Sequence, residues 1–437
     1  MKRFLVLALV TGACAAPGGE DLEFSPAQVV SHETANGATP MLLTTTAGDR
    51  VLAWVSAEDG GHEGRLHFSV TPAGATEALT TVTVADELGG IEPHGEAPPK
   101  LAQGDDGAVY VLYSVGKKVP GLRFPLSSLR LIRSDDLGGT WSDPVTINAG
   151  EKFGAHNFHA LTAGGGMVVA TWLENHRGVS GVSMSRSFDR GATFEPQRSI
   201  NLDPSCPCCR TAVAIGPSGT MYVAWRTIIE RGDGPQDDIR DIVVTRSDDR
   251  GETWTEPVRP RHDDWVYPGC PHAGPSMQVD ETGAVHIAWW TGKQGSAGVY
   301  YARSGDRGET WTATPLKTGD RSAPSHVQLV TGEGHVFVTW DDGMGTLPEV
   351  VMRHSSDRGE SFAPSQLLSA DGFAASFPVL ALYRDTLAVA WGQKGEAAHR
   401  EAMASRPDMS DPTSVLGLPR VGQSEIFVRK AAVEAGG

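Results

Sequence analysis

Seven segments of the chain run from apolar residues to an aromatic stop: VLAW (51–54), VYVLY (109–113), VVATW (168–172), YVAW (222–225), VHIAW (285–289), VFVTW (336–340) and LAVAW (387–391). The stops lie 51 to 64 residues apart, and glycine and proline are frequent between them, so the pattern predicts short strands and tight turns. A four-stranded sheet cannot bury both faces alone and must stack on neighbours around an axis, so repeats of this length predict an all-β propeller of seven four-stranded blades. The early segment LEFSPAQVVS (22–31) matches SFAPSQLLS (361–369). It is therefore expected to pair with the last blade and close the ring.

A second repeat supports the count. SDDLGGTW (134–141), SFDRGATF (187–194), SDDRGETW (247–254), SGDRGETW (304–311) and SSDRGESF (355–362) follow the second to sixth stops, with degenerate counterparts at 69–76 and 404–415. Each aspartate (Asp136, Asp189, Asp249, Asp306, Asp357) is placed to accept backbone N–H groups within a turn. The glycine two residues on permits positive φ, and the closing aromatic anchors the turn in the blade. The octapeptide resembles the Asp-box, or bacterial neuraminidase repeat, of sialidases and of several unrelated propellers. The resemblance implies a sialidase-like propeller, with these aspartates as turn formers at the blade periphery rather than catalysts. Six blades, the count in sialidases, is the alternative to seven.

The first residues set the compartment. Lys2 and Arg3, the apolar run Phe4 to Val10 and the small residues before Cys14 form a secretory signal too short to span a bilayer. Thr-Gly-Ala-Cys resembles a bacterial lipoprotein lipobox, which implies a signal at 1–13, acylation of Cys14 and a tether at 14–22. Ordinary cleavage at Ala13-Cys14-Ala15, giving a soluble periplasmic or secreted protein, is the competing reading. The expected location is the bacterial cell envelope, with the membrane engaged only through a lipid anchor, a single propeller over 23–430 and a tail at 431–437. The net charge of -16, or -18 without Lys2 and Arg3, argues against nucleic acid and anionic membrane as partners.

The chemistry gathers in the loops that approach each inner strand, about 14 residues before each stop: NGATP (36–40), PHGEAPP (93–99), GAHNFH (154–159), SCPCCR (205–210), GCPHAGP (269–275), SAPSH (322–326) and AASFP (374–378). These loops are expected on one face near the axis, bringing together His94, His156, His159, Cys206, Cys208, Cys209, Arg210, Cys270, His272 and His326. Three chemistries fit the thiols. A disulfide from Cys270 to Cys206, Cys208 or Cys209 suits an oxidising envelope, although the close spacing strains two such bonds. A soft metal, copper foremost or zinc, suits thiolates with His272 at short spacing. A redox thiol activated by Arg210 is the third. Binding of copper at the axial face, for storage, transfer or redox, is the leading expectation, and a disulfide-braced scaffold without a small ligand is another.

Sialidase-like hydrolysis of envelope or host glycans is the enzyme alternative. The family resemblance implies an arginine triad, an Arg-Ile-Pro segment, a Tyr/Glu pair and an acid/base Asp. The Arg-Ile-Pro segment is absent, and Arg210 is the one approach-loop candidate for the triad, with Arg321 and Arg226 more distant. Tyr267 lacks an evident glutamate partner. Glu92 and Glu96 are candidate acid/base groups that an acidic surface would leave solvated.

Overall fold

The computed structural model describes residues 21–31, 36–57, 64–75, 80–120, 125–148, 153–176, 179–232, 234–319, 324–343, 347–404 and 424–434. The leader, Cys14, Arg321 and the degenerate repeat beyond Ala404 lie outside the described residues. Seven antiparallel sheets follow one another along the chain, each with its first strand innermost. Blades one to six span 37–84, 100–146, 156–201, 212–247, 276–318 and 324–367, and blade seven is built from 373–383, 386–395, 425–432 and 28–29. The chain is thus a seven-bladed β-propeller. Blade four departs from the expected four strands. Among the described residues it has three, and Val258 pairs with Val244 only as an isolated bridge, because the chain leaves the sheet there to build a long excursion towards residue 275.

The seven aromatic stops all lie on second strands, and each packs onto the blade before it. Tyr113 lies with Val51 and Phe68 of blade one, Trp172 with Tyr110 and Leu131 of blade two, and Trp225 with Val169 and Met184 of blade three. Trp289, Trp340 and Trp391 repeat the contact around the ring, and Trp54 completes it against Val379 and Ala388 of blade seven. All seven are buried. The repeat spacing is therefore a read-out of one packing unit: an indole or phenol filling the gap between adjacent sheets. Closure comes from the expected early segment, where Gln28 and Val29 pair antiparallel with Val428 and Phe427, and Arg429 Nε donates to the Ser25 carbonyl at 2.7 Å.

The five octapeptides form turns that follow the third strands of blades two to six. In each, the serine Oγ accepts the glycine N–H at 2.7–2.8 Å and the aspartate Oδ1 accepts the Thr or Ser N–H at 2.8–2.9 Å. The residue before the glycine is also left-handed, at φ 56–65° for Leu137, Arg190, Arg250, Arg307 and Arg358, which a reading based on glycine alone does not anticipate. The arginine preceding the serine is a further missed signal. Arg133 reaches the Arg190 carbonyl and Arg246 the Arg307 carbonyl, at 3.3 and 3.0 Å, while Arg186 meets Glu252 and Arg303 meets Glu360, so the third strands of blades two to five clamp the turn of the next blade.

Because the aromatic stops carry the contact between blades, Trp340→Ala is expected to lower unfolding free energy by about 3–5 kcal/mol. Denaturant titration checks this, and a loss below about 1 kcal/mol would contradict the packing role.

Candidate functional site

The inner strands fall into two groups. Those of blades one, three, six and seven run 8 to 11 residues and cross a bulge at Thr39, Phe158, His326 and Phe377, each in the left-handed region at φ 49–60°. Those of blades two, four and five begin only at Lys100, Ala212 and Ser276 and run four residues. Their approach segments are released from the ladder. Those released segments carry Glu96, the thiol loop and the Cys270–His272 stretch.

Cys206, Cys208 and Cys209 converge. Their sulfurs lie within 4.8 Å of one another, with Cys206 3.7 Å from Cys208 and 3.6 Å from Cys209, and exposures of 0, 4 and 0%. Phe158 and Ile228 cover the group, and the Ala273 N–H donates to Cys209 Sγ at 3.4 Å. The cluster could hold a metal ion. None of the four described cysteines is in a disulfide. Cys270 is exposed, and its thiol contacts that of Cys208.

The electrostatics beneath the thiols are unusual. Arg226 is wholly buried and donates to the carbonyls of Ala273, Arg240 and Trp290, while Arg240 donates through Nε to the Tyr267 carbonyl and leaves Nη1 buried without a hydrogen-bond partner. Among the described residues neither guanidinium forms a salt bridge with a carboxylate, and Arg226 has the buried Asp263 only within longer electrostatic range, so two buried cations lie near the cluster. Cys206 responds. The S–H groups of Cys208 and Cys209, and then the two arginines, hold it far below the thiol range, at about 3. Donation to its neighbours pushes Cys208 up, and burial pushes Cys209 up to about 11. The cluster therefore favours negative charge on Cys206 over Cys208 and Cys209.

A second group lies beside it on the axis. Glu96 and Arg210 form a buried pair at 2.5 Å, with exposures of 1 and 3%. Glu96 Oε2 also accepts the N–H groups of Arg210 (3.3 Å) and Gly274 (2.8 Å), and Arg210 Nη2 donates to the Val327 carbonyl at 2.5 Å. Glu96 is therefore not solvated, and Arg210 is already neutralised rather than available as a carboxylate clamp. Glu92 is buried too, and loss of solvent raises its carboxyl to about 7. Burial, then Arg210, lowers Lys100 to about 7.

The histidines separate. His94 lies 6.0 Å from His272 between ring centroids and 5.5 Å from Phe158, and burial, reinforced by His272, lowers it to about 4. His326 contacts Asp341 at 2.7 Å and packs on Phe377. These three share the axial funnel. His272 therefore faces His94 across the funnel, with Nδ1 3.2 Å from the Cys270 carbonyl, and is outside the thiol group. His156 and His159 are buried in the wall, His156 3.8 Å from Glu174 and His159 beside Lys100, where burial lowers it to about 3. Tyr267 stacks on Trp265 in the blade-four excursion. Sequence spacing found the thiols but not their arginines, since Arg226 sits on a strand and Arg240 in an excursion with no motif of its own.

No protein-family model matches the chain, and no curated protein matches it in sequence. Solved structures do match. An ulvan lyase of polysaccharide lyase family PL25, bound to GlcA(1-4)Rha3S, aligns over 84% of this chain and 93% of its own at 15% identity, with a TM-score of 0.54. The polysaccharide lyase Uly1 aligns over 96% and 94% at 10% identity, with a TM-score of 0.54. The intramolecular trans-sialidase from Ruminococcus gnavus aligns over 92% and 95% at 13% identity and 0.47. At these identities the likeness to the two lyases is one of fold alone and assigns no activity.

The buried pair generates a double-mutant test. Arg210→Met strands Glu96 and is expected to cost about 3–5 kcal/mol, most of it recovered in Glu96→Gln/Arg210→Met. A loss in the double variant equal to the sum of the losses in Arg210→Met and Glu96→Gln would show that the two side chains act independently. Glu92 gives a pH test. Its folded pKa is raised above the unfolded value, so its contribution is fully present at acid pH and is lost as pH rises through about 7. Glu92→Gln is expected to remove a stability loss of about 3 kcal/mol between pH 4 and 9, read from denaturation midpoints.

Proposed function

We propose that this propeller, exported by its leader and held at the cell envelope by an acylated Cys14, binds one Cu(I) ion in the trithiolate of Cys206, Cys208 and Cys209. The observation that carries the reading is the buried trio of sulfurs set against two guanidiniums without a salt-bridge partner among the described residues. A metal–sulfur bond of about 2.3 Å places the sulfurs of a tetrahedral or trigonal site about 3.8–4.0 Å apart. The separations of 3.6 and 3.7 Å already approach that. Thiolate donors select Cu(I), and three of them suit its low coordination, whereas a structural zinc site wants four. Charge agrees: three thiolates with Cu(I) carry -2, balanced by Arg226 and Arg240, neither of which has a salt-bridge partner among the described residues. The closed setting, under Phe158 and Ile228, suits storage or transfer of the ion rather than a reaction at an open coordination position.

Anaerobic Cu(I) titration followed by metal analysis is expected to give one copper per chain in the wild type and none in Cys206→Ser/Cys208→Ser/Cys209→Ser. Equal copper in both would end the reading. Since Cys206 is held far below the thiol range, binding at neutral pH should release two protons rather than three, measured by calorimetry in buffers of different ionisation enthalpy.

A further inference from the structure

Cys270 stands in a different relation to the trio from that of a fourth ligand. Its thiol touches Cys208, yet it is not among the sulfurs that lie within 4.8 Å of one another. It is exposed while the three are buried, and Phe158 and Ile228 cover the trio. Its segment belongs to no strand. The backbone is pinned at one end by Tyr267 N–H to the Asp238 carbonyl and at the other by Ala273 N–H to Cys209 and Gly274 N–H to Glu96. Between these anchors lie Pro268, Gly269, Cys270, Pro271 and His272, the last held in the left-handed region at φ 48° with its ring beside His94 in the axial funnel. One short segment thus has a thiol at the surface, an imidazole in the funnel and a sulfur contact to the buried cluster.

Resting on the trithiolate reading above, we infer that Cys270 is the exchange ligand through which Cu(I) enters and leaves the buried site. A Cu(I) complex presented at the axial face is attacked by the Cys270 sulfur. A Cu–S bond forms, one bond from copper to the donor's ligand breaks, and the Cys270 proton passes to solvent. Cys208 then takes the ion, and its proton crosses the existing sulfur–sulfur contact to Cys270, so the exchange ligand is regenerated as a thiol and copper keeps its oxidation state. Cys206 and Cys209 complete the shell as thiolates, any proton they carry passing to solvent, while the bond to Cys270 and the donor's remaining bonds to copper break. Release runs the same steps backwards.

The test uses the full chain under anaerobic conditions, with Cu(I)–acetonitrile as donor and bathocuproine disulfonate as acceptor, and compares wild type with Cys270→Ser and Cys270→Ala. Because Cys270 is exposed, folding is expected to survive, and circular dichroism with denaturation midpoints checks it. Loss of a supporting group beside a metal changes its behaviour by roughly ten- to a hundred-fold. Both variants should still hold one copper with unchanged affinity, but load and unload roughly tenfold more slowly. Weaker binding with faster release would make Cys270 a permanent ligand and overturn the inference, as would unchanged rates. A wild type that takes up no copper refutes the trithiolate itself, an outcome distinguished because it does not involve the Cys270 variants.

Discussion

The contact between neighbouring blades governs this molecule. Each blade offers a face too flat and too apolar to stand alone, and each is covered by one large aromatic from the second strand of the next blade. A row of such contacts has unsatisfied ends unless it closes, which is why Trp54 returns to blade seven and why residues 28 and 29 supply that blade's outer strand. The arginine clamps of the turns add a second, peripheral ring of contacts of smaller energetic weight, being largely exposed.

A closed ring fixes where irregular backbone can be tolerated. Where the inner strand is long, its approach residues remain in the ladder and leave only a bulge at the axis. Where it is short, in blades two, four and five, the approach residues are free to carry chemistry. The buried backbone of those loops still requires partners, and it finds them in one another: Glu96 accepts N–H groups from Arg210 and Gly274, and Cys209 accepts one from Ala273. The ion pair and the thiol cluster are therefore neighbours along the same two segments, Cys209–Arg210 and Ala273–Gly274. Phe158 stands between the thiols and the axial histidines.

Placing cations under thiols in an acidic protein has a clear electrostatic sense. The overall charge of the chain is negative, whereas Arg226 and Arg240 make the local potential positive at one buried point. Together with the S–H groups of Cys208 and Cys209, they hold the Cys206 thiol well below the usual thiol range.

The sequence by itself determined the architecture, since the blade count, the turn chemistry and the closing strand are written in local periodicity, and local periodicity follows from backbone geometry. It also located the thiols, because Cys-x-Cys-Cys on one loop must come together whatever the fold. The partners of those thiols were decided only by the tertiary structure. Arg226 and Arg240 reach Cys206 from other elements of blade four, Glu96 meets Arg210 across 114 residues, and His272 turns to His94 although it lies two residues from Cys270. Charge state, burial and pairing depend on what a closed ring brings to its axis. No spacing along the chain encodes that, because the loops that meet there belong to different blades and share no motif.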